Sequence, residues 1–529
     1  MPDIDPNPTV PTFPPTDRIK WKPCGRRLVC GMFGVPLNHS EPHGHHINLA
    51  LIKYPAPGSQ GSIFVNPGGP GGSGVDFVRS TGVSLSFFTG GNYDIIGVDP
   101  RGIGASNPIS CFPSAAGHRG FDAGREVIPR DAVSEALYAS RAQVRVDLCA
   151  QNAREILPFV STAAFARDLD LLRQAVGSEL LNFYGLSYGT FVGAVYSQMF
   201  PDKVGKMVLD GVMDPVRYSG DIFDFVRSFP VHMDTIVESM GTECQSAGPD
   251  RCAMATRGGR RPGSVYERIR SLIARLDASP LPVPSAQIPG VVTGADITTA
   301  LAAATYSPDT WPVLLEALAD LERGDGAKFR ALTHPAPAVE CPLTDSGSTE
   351  THLSVVCLDS RRNDTRDLVT WREEVIASRN VSWVAASTGW TYLPCRTWGA
   401  RAQERYEGPW NRTTKNKILL ISSTLDPVTP IESAQTLERL LGNSAVLLTH
   451  EGYGHTSLAQ PSICTVFSMI TYFSIDRVPD SGARCVADNK PFPATKPFAA
   501  LDVAEIQAAR DVAAHVHAVA KGARQWVRG

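Results

Sequence analysis

One serine in this sequence occupies a setting that could make it a nucleophile. Ser187 is the central residue of Gly185–Gly189 (GLSYG), a G-x-S-x-G pattern. Flanking glycines let a strand and a helix crowd together at a tight turn, which leaves the serine hydroxyl exposed. Such a hydroxyl can attack a carbonyl carbon and carry the acyl group as a covalent ester. The pattern alone is weak evidence, because a chain with 46 glycines can contain it as a simple turn.

A serine nucleophile needs a base and a carboxylate, and two later segments supply them. Asp426 follows the apolar run 417–422 (KILLIS), and His455 follows the run 445–448 (AVLL). Both runs are typical of strands, so both side chains are expected beyond the carboxyl edge of a parallel sheet. His450 lies close to His455 in the chain and is a rival for the base.

A dense glycine loop at 66–74 (NPGGPGGSG) follows the predicted strand at 62–65. It lacks the lysine of a G-x-x-x-x-G-K-[ST] phosphate loop, and no acidic residue stands at a ribose-binding distance after a G-x-G-x-x-G pattern. Nucleotide binding is therefore disfavoured. Glycines at this place would instead let backbone N–H groups approach a reacting carbonyl.

The segments around these residues alternate between predicted strands and helices. Further strands are predicted from apolar runs at 47–54, 93–98, 180–184 and 206–212. A helix is predicted after the Ser161-Thr162 cap and before Gly177, and another after Ser187. This alternation predicts a parallel sheet covered on both faces. The order Ser187, Asp426, His455 along such a chain is that of an α/β-hydrolase triad.

The loop 99–106 (DPRGIGAS) closes the strand at 93–98. We expect Asp99 and Arg101 to form a structural pair that shapes this loop without doing chemistry.

The strand–helix alternation stops between about 215 and 414. This region contains six of the eight tryptophans, a Gly/Arg loop at 257–263 and a Pro-rich segment at 280–289. One helical stretch is predicted at 297–321, with a break at Pro308. We expect a mainly helical lid, inserted before the strand that carries Asp426. The predicted organisation is a Pro-rich lead-in (1–20), a first core part (21–214), the lid (215–414) and a second core part (415–529).

The bulk composition excludes several classes of partner. Fifty basic and 53 acidic residues give a net charge of −3 without a basic stripe, which argues against nucleic acid and anionic membrane surfaces. No apolar run is long enough to span a membrane. No C-x-x-C pattern occurs, so a zinc site is not expected, and no metal or organic cofactor is implied.

Eleven cysteines favour a disulfide-forming compartment. Sequence proximity suggests the pairs Cys24 with Cys30, Cys111 with Cys149, Cys244 with Cys252, Cys341 with Cys357, and Cys464 with Cys485. At least one thiol is then left free. Sequons at Asn38, Asn363, Asn380 and Asn411 fit a glycosylated secreted protein. The cysteines and sequons favour a secreted or vacuolar location, and the cytoplasm is the alternative because the first residues lack the features of a secretory signal. The sequence carries no signal for an oligomeric state.

Taken together, the motifs of this chain resemble those of a known family, the α/β-hydrolase serine peptidases of the tripeptidyl aminopeptidase and prolyl iminopeptidase clan, with a TAP-like C-terminal domain. The motifs that carry the resemblance are NPGGPGGSG (66–74), DPRGIGAS (99–106), YGLSYGT (184–190), LDGVMDP (209–215), GPWN (408–411), STLDPVTP (423–430) and GYGHTSLAQPSICT (452–465). They follow the family order across nearly the whole chain after residue 20.

The resemblance implies a serine exopeptidase that releases short N-terminal units through an acyl-enzyme. Ser187 would attack the carbonyl, His455 would move the proton, and Asp426 would orient the imidazole. The oxyanion would lie between the N–H groups of Tyr188 and Gly69, with Gly68 as the alternative to Gly69.

An enzyme that recognises a free α-amine needs a carboxylate in its pocket, and Asp214 and Glu340 are the candidates. The resemblance also places Thr429 near the triad, although its ordinary role is a local turn bond. The substrate would be a small peptide or another small acyl compound. Without an amine pocket, the same triad would serve a carboxylesterase, lactonase or thioesterase. A binding module without activity is disfavoured because all three triad positions are filled.

Overall fold

The computed structural model describes residues 19–122, 128–129, 131–256, 263–334, 349–361 and 367–493. Its strands are β1 (Lys22–Gly25), β2 (Leu28–Pro36), β3 (His46–Tyr54), β4 (Ser62–Asn66), β5 (Asp94–Val98), β6 (Leu181–Leu186), β7 (Val204–Asp210), β8 (Leu281–Val283), β9 (Gly290–Val292), β10 (Ile418–Leu425), β11 (Ala445–Tyr453) and β12 (Arg484–Val486).

The helices of the described ranges follow in chain order. They are α1 (Gly74–Phe88), α2 (Ala115–Asp122), α3 (Ala132–Asn152), α4 (Thr162–Ala175), α5 (Tyr188–Met199), α6 (Pro215–Tyr218), α7 (Ile222–Ser228), α8 (Met233–Ala247), α9 (Val265–Ala278), α10 (Gly294–Ala304), α11 (Trp311–Glu322), α12 (Ala327–Thr333), α13 (Thr349–Asp359), α14 (Leu368–Arg379), α15 (Thr388–Thr391), α16 (Ile431–Leu441) and α17 (Ile463–Ile475).

One large sheet forms the centre of the described structure. Its strand order is β1-β2-β3-β5-β4-β6-β7-β10-β11-β12. Within this sheet the seven strands β5, β4, β6, β7, β10, β11 and β12 pair in parallel with their neighbours. Strands β1, β2 and β3 form an antiparallel edge beside β5. This mostly parallel sheet confirms the predicted fold class. Strands β1, β2 and β12 were not predicted from the sequence.

Apolar side chains that alternate along the strands are buried on both faces of the sheet. In β4, Phe64 lies in the core on one face, and Ile63 and Val65 lie in the core on the other. Helices α4, α5 and α16 cover the first face, and α1 and α17 cover the second. The run SIFVN is buried throughout, and its three central residues are apolar, because helices cover it on both sides.

The neighbours β7 and β10 are separated in the chain by residues 211–417. The described part of this stretch folds into α6 to α15 with the small β8–β9 hairpin, and we call it the inserted segment. The helix predicted at 297–321 is two helices, α10 and α11, with a short 3₁₀ turn at Pro308–Thr310 between them. Proline has no backbone N–H, so it ends one helix and begins the next turn.

Five disulfides join cysteines of the described residues, and four of the five predicted pairs are among them. They are Cys24–Cys30, Cys111–Cys149, Cys244–Cys252, Cys357–Cys395 and Cys464–Cys485. The predicted Cys341–Cys357 pair is wrong, because Cys357 bonds to Cys395 on a later turn that folds back onto α13. Cys341 lies outside the described residues.

Two further predictions concern single regions. Arg101 does not pair with Asp99; it is buried and binds Asp168 through two nitrogens, at 2.6 and 2.7 Å. Asp99 instead accepts hydrogen bonds from Ser73 Oγ and the N–H of Ala105, which fixes the loop that both residues shape.

Among the helices that the structure describes, none is both long and apolar enough to cross a membrane.

Candidate active site

Ser187 lies on a strained turn between β6 and α5. Its backbone has φ +56° and ψ −124°, a left-handed conformation that is costly for any residue except glycine. A Cβ on Gly185 would lie 2.3 Å from the carbonyl oxygen of Gly189, so the pattern requires glycine there. The N–H of Ser187 donates to the carbonyl of Asp210 at 3.0 Å. Strand, turn and helix therefore hold the serine in place through the backbone.

Asp426 and His455 form a buried pair at the carboxyl ends of β10 and β11. His455 Nδ1 lies 3.0 Å from both carboxylate oxygens of Asp426. The carboxylate also accepts from the N–H groups of Val428, Thr429 and Thr456 at 2.8–2.9 Å. Burial alone would raise the pKa of Asp426, but the imidazole and these hydrogen bonds lower it below its ordinary value. The carboxylate is thus ionised and oriented toward the ring.

His450 is buried away from this pair. Its Nδ1 lies 2.9 Å from Thr465 Oγ1 and its Nε2 lies 2.8 Å from the carbonyl oxygen of Gln460. Burial lowers the pKa of His450 to about 4. Both ring nitrogens are engaged, so this histidine holds the loop after β11 and leaves His455 as the base candidate.

Gly211 brings the serine turn and the imidazole together. This residue follows Asp210, whose carbonyl binds the N–H of Ser187. A Cβ built on Gly211 would lie 3.5 Å from His455 Cε1 and 3.0 Å from Thr429 Oγ1. The structure therefore collects Ser187, Asp426 and His455 at one edge of the sheet. Their catalytic roles stay a prediction.

The glycine loop approaches the same turn. A Cβ on Gly68 would lie 2.9 Å from Ser187 Cβ and 3.1 Å from the N atom of Tyr188. The N–H of Gly68 donates to the side chain of Asn66 at 2.9 Å. This engagement favours Gly69 over Gly68 as the loop's oxyanion donor, which agrees with the order of preference in the sequence analysis.

Asp210, at the end of β7, is a residue that the sequence analysis did not single out. Its carboxylate accepts from the N–H and hydroxyl of Ser457 at 2.9 and 2.6 Å. Burial raises the pKa of Asp210 to about 6. The residue links the serine turn to the His455 loop. The LDG motif at a strand end was its one sequence signal.

The inserted segment reaches the site through side chains that no sequence spacing indicated. The ring of Tyr306 packs edge-on against the ring of His455. The backbone carbonyl of Tyr306 accepts a hydrogen bond from the backbone N–H of His455 at 3.0 Å. His352 Nδ1 lies 3.1 Å from the carbonyl oxygen of Pro70 in the glycine loop. Tyr392 OH lies 3.3 Å from His352 Nε2. These aromatic groups come from separate elements and meet only in the fold.

The predicted substrate-binding residues have different positions. Asp214 caps the short helix α6 by accepting from the N–H groups of Val216 and Arg217. Thr429 Oγ1 lies 3.2 Å from His455 Nδ1, which favours a role in orienting the ring. Glu340 lies outside the described residues. Within the parts of the chain that the structure covers, no group of three or more His, Cys, Asp or Glu side chains is placed to hold a metal ion.

Comparison with known proteins identifies the families and relatives that the sequence matches. The sequence model of the α/β-hydrolase fold matches residues 61–237, and that of TAP-like proteins matches residues 381–485. The tripeptidyl aminopeptidase of Streptomyces lividans is 29% identical over 501 residues, which cover 90% of this chain and 88% of the relative. Serine protease Hip1 of Mycobacterium tuberculosis is 28% identical over 493 residues, covering 88% and 91%. Carboxylesterase B of the same organism is 28% identical over 482 residues, covering 87% and 86%.

The chain is therefore a serine hydrolase of the α/β-hydrolase fold. More narrowly, it is an α/β-hydrolase with a TAP-like C-terminal domain, and it is similar over most of its length to tripeptidyl aminopeptidases. The resemblance inferred from the motifs is confirmed.

Proposed function

We propose that this chain is a serine exopeptidase that releases short N-terminal units, from one amino acid to a tripeptide, through an acyl-enzyme. Ser187 attacks the scissile carbonyl while His455 accepts its proton. The proton then passes to the leaving amine, and water later attacks the ester with His455 again as the base. Asp426 holds the Nδ1 proton of the imidazole and stabilises the imidazolium.

The observation that carries this proposal is the Asp426–His455 pair beside a strained Ser187. The carboxylate holds the ring at 3.0 Å and is itself held by three backbone N–H groups. The N–H groups of Tyr188 and Gly69 supply the oxyanion site beside Ser187. The relatives named tripeptidyl aminopeptidase and serine protease support a peptide as the acyl donor.

Peptide recognition needs a group that binds the free α-amine. Asp214 remains the candidate among the described residues, because burial raises its pKa and its side chain is 9% exposed. However, its carboxylate already accepts two helix N–H groups and lies 3.4 Å from Arg217. Amine binding there would compete with those contacts.

The test compares the purified protein with a Ser187→Ala variant and a control variant, Ser197→Ala. Ser197 is a buried serine on α5 whose hydroxyl donates to the carbonyl of Ala194 and accepts from the side-chain amide of Gln198. The substrates are matched peptide amides with free or blocked amino termini, and simple esters. We expect cleavage of the free-amine peptides by the wild type and Ser197→Ala, and none by Ser187→Ala.

Ester cleavage with every peptide untouched would overturn the peptidase proposal. It would leave a carboxylesterase, lactonase or thioesterase, the alternative that the relative named carboxylesterase B represents.

A further inference from the structure

Helix α13 of the inserted segment touches both sides of the proposed oxyanion site. Near its start, His352 Nδ1 lies 3.1 Å from the carbonyl oxygen of Pro70, the residue after Gly69. A Cβ on Gly71 would lie 3.7 Å from Thr351 Cγ2 and 3.8 Å from the N atom of His352. The first turns of α13 thus pack directly on the glycine loop.

The last residue of α13, Asp359, reaches the other side. Its carboxylate accepts from the N–H of Thr162 at 2.9 Å and from the hydroxyl of Thr162 at 2.6 Å. The same threonine hydroxyl forms a short hydrogen bond with the phenol of Tyr188. When Asp359 is ionised, the single proton of the Thr162 hydroxyl goes to the carboxylate, so the hydroxyl accepts the proton of Tyr188.

This chain of hydrogen bonds is fully buried. Asp359 is 3% exposed, Thr162 is 1% exposed and Tyr188 is 4% exposed. Burial raises the pKa of Asp359 to about 7, and the two Thr162 hydrogen bonds and Arg405 offset part of that rise. The charge of Asp359 also raises the pKa of the buried Tyr218 phenol, after the larger effect of burial. Breaking one link leaves a buried polar group without a partner, which is costly.

We propose that Asp359 is a positioning residue that holds Tyr188, and therefore the oxyanion N–H beside Ser187, through Thr162. The inserted segment then sets the geometry of the reaction centre in addition to packing on the glycine loop. The physical reason is that oxyanion donors act only when they are held within about half an ångström of the productive position. Loss of one such donor costs about 10²–10³-fold in kcat. This inference rests on the proposed chemistry of Ser187 but not on the choice of peptide over ester.

The experiment measures Asp359→Asn and Thr162→Val, which keep side-chain size while changing the hydrogen bonds. The matched control is Asp234→Asn, a carboxylate of the same segment that accepts from Ser382 Oγ at 2.6 Å and from the N–H of Val384 at 3.3 Å. It has the same kind of partners but no link to Tyr188. The readouts are kcat and KM for an activated ester and the rate of fluorophosphonate labelling of Ser187.

We expect Asp359→Asn and Thr162→Val to lower kcat and the labelling rate by about 10-fold or more, since both need the oxyanion site. KM should change by less than about 3-fold, because the ground state makes little use of that site. Asp234→Asn should keep kcat within about 2-fold of wild type, even if its melting temperature falls as far as that of Asp359→Asn.

A kcat within about 2-fold of wild type in Thr162→Val would overturn the inference, even if Asp359→Asn fails to fold. A second test combines Thr162→Val with Tyr188→Phe. The kcat of the double variant should be no lower than that of the slower single variant, because both substitutions break the same chain of hydrogen bonds. Independent effects, in which the two losses of kcat multiply, would also overturn the inference. If peptides are not cleaved while esters are, the proposed exopeptidase function fails and this test still stands.

Discussion

The sheet and the inserted segment reach the reaction centre in different ways. The sheet supplies Ser187, Asp426 and His455 from the turns that follow β6, β10 and β11, and it holds them mainly by backbone groups. The inserted segment supplies single side chains from separate elements, Tyr306 and His352 among them. Backbone contacts survive most side-chain changes, whereas a side-chain contact is lost with one substitution. The proposed reacting groups therefore come from the sheet, whereas the inserted segment contributes side chains that pack against them.

Two buried carboxylates illustrate the same difference. Asp426 has a basic ring and backbone N–H groups around it, and its pKa is lowered in spite of burial. Asp359 has mainly Thr162 as its hydrogen-bond donor, and burial raises its pKa to about 7. The surroundings of Asp426 therefore favour its ionised form, whereas those of Asp359 favour the protonated form up to about neutral pH.

The largest expected effect comes from the two histidines after β11. The same substitution at both sites, His455→Gln and His450→Gln, separates the base from the structural histidine. His455→Gln should lower kcat by about 10⁴-fold or more, because it removes the proton acceptor of the triad. His450→Gln should leave kcat within a few-fold and lower the melting temperature, because it disturbs two buried hydrogen bonds. Full activity in folded His455→Gln would contradict the assignment.

A smaller effect separates two disulfides of equal loop length. Cys111–Cys149 ties the loop after β5 to α3, and Cys357–Cys395 ties α13 to a turn of the inserted segment; both have a sequence separation of 38. The chain-entropy estimate gives each about 4 kcal/mol of stability. Double serine variants should therefore lose similar free energy of unfolding in denaturant titrations. Only the Cys357/Cys395 variant should also lower kcat, because Cys357 is on the helix that ends at Asp359. Equal kcat in the two variants would argue against a role of α13 in the reaction.

The smallest effect is a pH dependence of stability that distinguishes Asp359 from Asp210. Burial raises both pKa values from the ordinary 3.8, to about 7 and about 6. Between the unfolded and folded pKa values the native state holds the extra proton. Stability therefore falls as the pH rises through that window, by up to roughly 1.4 kcal/mol per pH unit.

Between pH 6 and 7 this fall belongs mainly to Asp359. Asp359→Asn should remove it, whereas Asp210→Asn should keep it, as measured by urea unfolding at a series of pH values. A wild-type slope that persists unchanged in Asp359→Asn would mean that Asp359 is ionised throughout this range.

Much of the sheet was predictable because its signals are local. The strands β4 to β7, β10 and β11 each contain a run of buried apolar residues that is visible in the sequence, and Ser161 caps α4 as expected. Strand β1 was missed because it is short and mostly exposed, and β2 was missed because two glycines interrupt its apolar residues. The cysteine pair Cys357–Cys395 was missed because proximity in sequence is not proximity in space.

The sequence by itself determined the fold class, the serine turn and the order of Ser187, Asp426 and His455. These follow from short patterns in which strand, glycine and reactive residue are adjacent in the chain. Only the tertiary structure decided that His450 is structural, that Asp210 links the serine turn to the His455 loop, and that Asp359 reaches Tyr188. The reason is that each of these depends on contacts between residues far apart in the chain, and single polar residues in an irregular helical segment leave no periodic trace.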